Sequence, residues 1–300
     1  MQKKFRGTGT AIVTPFHKDG SIDFNAFKNL IEFQIRNHVE YIVFLGTTGE
    51  SVTLNHDERF AVINFAVEMV NGRVPIVIGI GGNNTQEIVN TVRETDFDGI
   101  DAVLSVSPYY NKPQQKGVIY HYKAISAICP VPIIIYNVPS RTGCNITSDT
   151  TLQIAHEIPG IMGVKEASND LAQCARIMKY KPEGFMVISG NDDLAMPFMS
   201  IGGDGVISVI ANAFPSEFSH MIRFCLDNKY LKARDIHHRL LDITEAIYAD
   251  GSPSGVKAVL AQKELCQNAL RLPLVKINKT LSNQITALLS EMETFEYSSI

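Results

Sequence analysis

Lys165 closes the short apolar run "GIMGVK" (160–165), where little is available to solvate an ammonium group. A lysine so placed has three outlets. Its stem can lie along apolar surface with the head in water, or the head can pair with an acid such as Glu166. Alternatively, burial disfavours the charged form, lowers the pKa and frees a neutral amine. A neutral amine facing a carbonyl compound makes a Schiff base, which turns a ketone into an electron sink and then an enamine nucleophile. Tyr136 and Tyr110, linked by Thr47, would suit the proton transfers of such a step. Taken singly, a strand-end tyrosine is more often a packed ring with a hydrogen-bonded hydroxyl than a catalyst. Arg141 in "NVPSRTG" would clamp a carboxylate bidentately or tie down its own loop. "GTTG" (46–49) offers backbone N–H groups and the hydroxyls of Thr47 and Thr48, a set suited to a carboxylate.

These residues need a frame that brings them together. Short apolar runs rich in β-branched residues recur at 9–13, 41–45, 75–79, 101–106, 132–136, 161–165, 185–189 and 205–209. They lack in/out alternation, as strands covered on both faces of a parallel sheet do. Amphipathic segments fill the gaps. Asn55 with Glu58 reads as a capping pair ahead of the stripe Phe60, Ile63, Val67, Val70, and Asn84 with Glu87 repeats the signal before Ile88 and Val92. Phe24, Phe27, Ile31 and Ile35 make a similar stripe. Eight strands, most followed by a helix, predict a (β/α)8 TIM barrel over 1–225. Beyond it, 226–300 reads as a C-terminal helical appendage: helices over 229–249, 255–266 and 274–293, with "DGSPSG" as a break. The rival doubly wound sheet lacks its fingerprint, because "GIGGNN" (79–84) has no third glycine in register.

In such a barrel the site lies at the C-terminal strand ends. That rule selects Thr47, Thr48 and Glu50, then Gly81 and Asn83, Tyr109 and Tyr110, Tyr136 and Arg141, Lys165, and Gly190. The turn "GGDG" (202–205) enters the eighth strand from the other end, so it reads as a tight turn rather than a phosphate cradle. A net charge of −4 gives no footprint for nucleic acid or a membrane surface. No leader-like or membrane-length apolar segment appears. Five scattered cysteines and eight histidines form no metal-ligand spacing, so no metal is expected, and reduced thiols in the cytoplasm are the simplest reading.

Four motifs, "FLGTTGES" (44–51), "SPYYNKP" (107–113), "YNVPSRTG" (136–143) and "GVKEAS" (163–168), then resemble in this order the dihydrodipicolinate synthase / N-acetylneuraminate lyase family of class I aldolases. The resemblance runs from "GTGTAIVTPF" through "SGNDD" and "GGDGVISV" into the helical tail. Within the family, G-T-T-G-E at 46–50 and the arginine of "YNVPSRTG" are similar to the synthase branch. The resemblance implies a Schiff base between Lys165 and pyruvate. It implies a relay of Tyr136, Thr47 and Tyr110, the last reaching in from a neighbouring subunit. Thr47 and Thr48 would hold the pyruvate carboxylate and Arg141 that of aspartate β-semialdehyde, with Gly190 and Ile207 lining the site. It further implies the diaminopimelate and lysine biosynthesis pathway, a homotetramer of tight dimers, and no metal or organic cofactor.

Many bacterial synthases of the family are inhibited by lysine, and the matching positions here are Ser51, Val52, His56, Arg59, Asn83, Glu87 and Tyr109. Val52 stands where alanine is common and Arg59 where histidine is common, while Glu87 is kept to meet an effector's ammonium. "GSPSGVKA" (251–258) departs from the family's N-P-x-P-V-K. The nearest rival is an aldolase for a 2-keto sugar acid such as N-acetylneuraminate lyase. A non-catalytic barrel that senses a keto acid or amino acid is the other.

Overall fold

The computed structural model describes residues 2–294. Eight strands, β1 (Gly7–Ala11), β2 (Tyr41–Phe44), β3 (Ile76–Gly79), β4 (Ala102–Val106), β5 (Ile133–Asn137), β6 (Ile161–Glu166), β7 (Met186–Ser189) and β8 (Gly205–Ser208), close into a barrel in sequence order. Every neighbouring pair is parallel, and β1 pairs with β8. The helices are α1 (Phe24–Arg36), α2 (His56–Val70), α3 (Thr85–Glu94), α4 (Gln115–Ser126), the single turn α5 (Pro139–Thr142), α6 (Ser148–Glu157), α7 (Leu171–Tyr180), α8 (Ala195–Ser200) and α9 (Pro215–Leu226). After them come α10 (Tyr230–Ala249), α11 (Ser254–Gln262) and α12 (Lys279–Thr294). No described helix is long and apolar enough to cross a membrane.

The strands carry two cores, one on each face. Val43, Val77, Ile134, Ile188 and Ile207 belong to a cluster inside the barrel, which Phe5 and Tyr41 close with an edge-on ring contact of 5.5 Å. Ile42, Phe44, Ile76, Ile78, Ile133 and Ile135 face the other way and pack under the helices. Alternation is present in direction but hidden in polarity, because both faces are apolar.

The first strand begins two residues earlier than the apolar run suggests. Gly7 and Thr8 are the residues that pair with Gly205 and Val206 to close the barrel. A Cβ on Gly205 would lie 2.2 Å from the Gly7 carbonyl oxygen, so the seam requires glycine rather than a hydrophobe. At α2, Asn55 and Glu58 form both arms of the expected capping box. At α3 the pairing is half made, since Asn84 accepts from the Gln86 N–H and not from Glu87. The buried stripe of α2 runs through Val62, Ile63, Ala66 and Val70, leaving Phe60 and Val67 half-buried.

In the tail, the second helix ends at Gln262 and the third starts at Lys279, so both are shorter than their apolar spacing implies. The start of α12 is set by side chains: Asn278 accepts from the Leu281 N–H at 2.9 Å, and its own N–H and amide donate to Asp250. Residues 263–278 instead carry Arg271 to the mouth of the barrel.

Candidate active site

A one-residue irregularity aims Lys165. Ile133 pairs with Ile161 but Ile134 pairs with Gly163, so Met162 is left over. Met162 belongs to the inner cluster and Val164 to the outer one, two residues apart, where an unbroken strand would put both on the same face. The extra residue reverses the phase of the strand end. Val164 and Glu166 therefore face the helices, while Lys165 and Ala167 face the barrel interior. Gly163 makes this fit possible: a Cβ there would lie 2.6 Å from the Met186 carbonyl oxygen. The suggested ion pair with Glu166 is thus ruled out by direction. Glu166 is occupied instead by Asn137, Gln173 and the Ser168 N–H, all at about 3 Å.

Lys165 is 5% exposed, and no carboxylate lies within ion-pair distance of it among the described residues. Its register partner is Tyr136, and Nζ stands 4.4 Å from the centre of that ring. Burial pulls the amine down to about 8, opposed by the charge of Asp192 and reinforced by Arg141. Burial also raises Tyr136, with Arg141 and the Thr47 side chain pulling the other way. Lys165, Tyr136, Arg141 and Thr47, separate in sequence, therefore share one electrostatic neighbourhood. Gly190 leaves room for the lysine stem, since a Cβ would sit 2.9 Å from its Cε. Ile207 is fully buried in the inner cluster.

The threonines lie on a 3-10 turn, Thr47–Gly49, directly after β2. Thr48 is buried and Thr47 exposed. The turn is pinned from both sides. Thr14 Oγ1 donates to the Gly49 carbonyl at 2.7 Å, and Glu50 adopts a left-handed backbone with φ 52°. The Glu50 carboxylate accepts from Lys257 Nζ at 2.5 Å and from the Arg271 N–H at 3.0 Å, inside the protein. Arg271 continues the clamp, donating to the carbonyls of Gly20 and Thr53 and to Glu58. Lys257 and Arg271 escape a sequence reading because they come from the tail, some 200 residues away. A second lysine inside the apolar run "GVKAVLA" was the available signal.

Tyr110 faces solvent in a single chain. It is 89% exposed, with a left-handed φ of 72° that a bulky side chain rarely adopts. Ser51, Val52, His56, Arg59, Asn83, Glu87 and Tyr109 come from the segments after β2, β3 and β4, at the same end of the barrel. Val52, His56, Arg59, Asn83 and Glu87 are exposed; Ser51 and Tyr109 are half-buried. No hydrogen bond or ion pair joins any two of these seven among the described residues. His56 instead meets Glu94 at 3.3 Å, which ties the start of α2 to the end of α3.

Fold and site together define an α/β-barrel enzyme with a buried, unpaired strand-end amine. The dihydrodipicolinate synthetase family matches over residues 4–292, and the chain belongs to that family. It is 48% identical over 281 residues to the 4-hydroxy-tetrahydrodipicolinate synthase of Cytophaga hutchinsonii, covering 94% of each chain. The crystal structure of dihydrodipicolinate synthase from Thermotoga maritima is similar with a TM-score of 0.94 and 38% identity, covering 96% of this chain and 98% of that one. The enzyme from Cyanidioschyzon merolae, solved with lysine bound, has a TM-score of 0.93 at 34% identity, over 97% and 99% of the two chains.

Proposed function

We propose that the chain is a class I aldolase-type lyase that catalyses the 4-hydroxy-tetrahydrodipicolinate synthase reaction, joining pyruvate to L-aspartate 4-semialdehyde on the route to diaminopimelate and lysine. The observation that carries the chemistry is Lys165, an amine with no carboxylate at ion-pair distance among the described residues and with its pKa lowered by burial to about 8. Its neutral Nζ adds to the ketone of pyruvate, and loss of water leaves an iminium. Loss of a methyl proton then gives the enamine, which attacks the aldehyde of the second substrate. The amine of that substrate displaces Lys165 by transimination, closing the ring and restoring the free lysine.

Tyr136 stands beside the amine and passes protons to and from the carbinolamine, with Thr47 next in line. The 3-10 turn presents Thr47 and Thr48 to the pyruvate carboxylate, and Arg141 receives that of the semialdehyde. Gly190 and Ile207 shape the pocket around them. Tyr110, strained and solvent-exposed in a single chain, completes the relay of a neighbouring copy, which makes the working form an oligomer, a homotetramer of tight dimers in the cytoplasm. Lysine acts as an effector at Ser51, Val52, His56, Arg59, Asn83, Glu87 and Tyr109, a reading supported by the lysine-bound relative.

Borohydride reduction in the presence of pyruvate, followed by peptide mapping, tests the Schiff base, and an adduct on the peptide holding Lys165 is expected. A coupled condensation assay with the semialdehyde tests the substrate, with and without lysine. Turnover of N-acetylneuraminate or a 2-keto-3-deoxy sugar acid, and none of the semialdehyde, would overturn the reading.

A further inference from the structure

Tyr136 and Lys165 face the barrel interior; the next residue on each strand faces outward, and there the two strands meet again. Asn137 on β5 and Glu166 on β6 are register partners, one step beyond the pair Tyr136 and Lys165. Both side chains are buried under the helices. The Asn137 amide nitrogen lies 3.0 Å from each carboxylate oxygen of Glu166. Gln173 on α7 donates to Oε2 at 3.0 Å, and the Ser168 N–H donates to Oε1 at 2.9 Å. These partners are all neutral donors, so the place suits an acceptor-only carboxylate and not its amide. Burial pushes the Glu166 carboxyl up, and the bonds from Asn137, Ser168 and Gln173 pull it back. A carboxylate so buried is a costly way to fill space.

The same cluster reaches the loop that carries Arg141. Asn137 Oδ1 accepts from the Ile146 N–H at 2.9 Å, and the Asn137 amide donates to Asn145 Oδ1 at 2.8 Å. Asn145 in turn donates to Gln173 Oε1 at 2.9 Å. The chain thus leaves β5 at Asn137, makes the single turn α5 with Arg141, and returns to the Asn137 side chain nine residues on. We propose that Asn137 and Glu166 are positioning residues: linked outside the barrel, they fix the strand-end register that keeps the Tyr136 ring beside the Lys165 amine inside it, and they close the loop that presents Arg141. The proposal rests on the Schiff-base reading of Lys165. Both side chains point away from the interior, so they act through Tyr136, Lys165 and Arg141 rather than on substrate. Hydrogen bonds are directional where apolar contacts are not, so this tie sets position as well as spacing. A displacement of about 1 Å between reacting groups can lower a rate on the order of 100-fold.

The test measures condensation turnover per active site, with sites counted by exhaustive borohydride trapping with pyruvate. Glu166→Gln keeps the size of the side chain but sets an amide N–H against the surrounding donors. In the folded variant the number of trappable sites stays native, kcat per site falls about 10- to 100-fold, and KM for pyruvate stays near native. Asn137→Ala lowers kcat per site in the same way and also raises KM for the semialdehyde, because the Arg141 loop loses its tie. A merely structural cluster would lower thermal stability and the number of trappable sites while leaving kcat per site unchanged. That result in Glu166→Gln overturns the proposal, and a native semialdehyde KM in Asn137→Ala overturns its Arg141 half. If Glu166→Gln does not fold, Gln173→Ala, at a half-buried position on α7, decides it by the same per-site kcat, with a smaller fall expected. Absence of any adduct in the native protein overturns the Schiff-base reading instead, so the two failures are told apart.

Discussion

Lys165 and Lys257 are the two buried lysines among the described residues, and they differ in one respect that matters. Both end up inside the protein on apolar segments, and both sit over an aromatic ring, Tyr136 at 4.4 Å and Phe16 at 4.2 Å. Burial lowers the pKa of both. Lys257, however, meets the Glu50 carboxylate at 2.5 Å and the Ala269 carbonyl at 2.9 Å, and Glu50 opposes the effect of burial. Lys165 has no such partner. Each also has an arginine in its field: Arg271, which is itself neutralised by Glu58 at 2.5 Å, and Arg141, which is exposed at the barrel mouth. Burial alone therefore does not make a nucleophile. On the proposed reading, burial without a paired carboxylate leaves the amine free to react, and burial with one makes a strut.

The comparison breaks most sharply at Lys165. Lys165→Ala is expected to remove all borohydride-trappable adduct and to lower turnover on the order of 10^4-fold, with little change in thermal stability. In the native protein the trapping rate should climb with pH below about 8 and level off above it, because the neutral amine is the reactive form. A rate independent of pH from 6 to 9 would mean that the amine is not the titrating group.

Lys257→Met should do the reverse. It strands the Glu50 carboxylate inside the protein, at a cost of about 3–5 kcal/mol in unfolding free energy. Adding Glu50→Gln should recover more than half of that, since no unpaired charge then remains. Denaturant unfolding of the single and double variants checks both numbers. If Lys257→Met is as stable as the native protein, the strut assignment is wrong.

Arg141→Ala sharpens the contrast from the side of charge. Trapping with pyruvate should persist, while KM for the semialdehyde rises roughly ten- to a hundredfold, the value of a charge-assisted hydrogen bond. The acid limb of trapping should move to higher pH, because Arg141 presses the Lys165 pKa downward. Loss of trapping would place Arg141 on the first substrate instead.

Gly163→Ala gives the smallest effect, about 1–3 kcal/mol of destabilisation. The new methyl meets the Met186 carbonyl and disturbs the phase reversal that points Lys165 inward. A variant of native stability and trapping rate would show that the strand end tolerates more than its geometry suggests.

Much of the barrel was legible in the residues because its period is local. Each apolar run and each helical stripe answers to its own neighbours, and the capping box at Asn55 and Glu58 was readable from four letters. Boundaries slipped where distant residues set them. The start of β1 depends on the seam with β8, and the start of α12 on Asp250. Lys165, Tyr136, Thr47 and Arg141 were visible as strand-end residues, and the structure brings them into one electrostatic neighbourhood. Lys257 and Arg271 were not, because nothing in the tail announces which loop it will touch.

By itself, then, the order of residues determined the eightfold alternation, the double-faced strands and the identity of the strand-end lysine, all features that spacing and polarity encode over a few residues. Which buried lysine lacks a carboxylate partner was decided only in three dimensions. The difference is a glutamate that approaches Lys257 from 207 positions away and a one-residue shift that turns Lys165 from its adjacent acid.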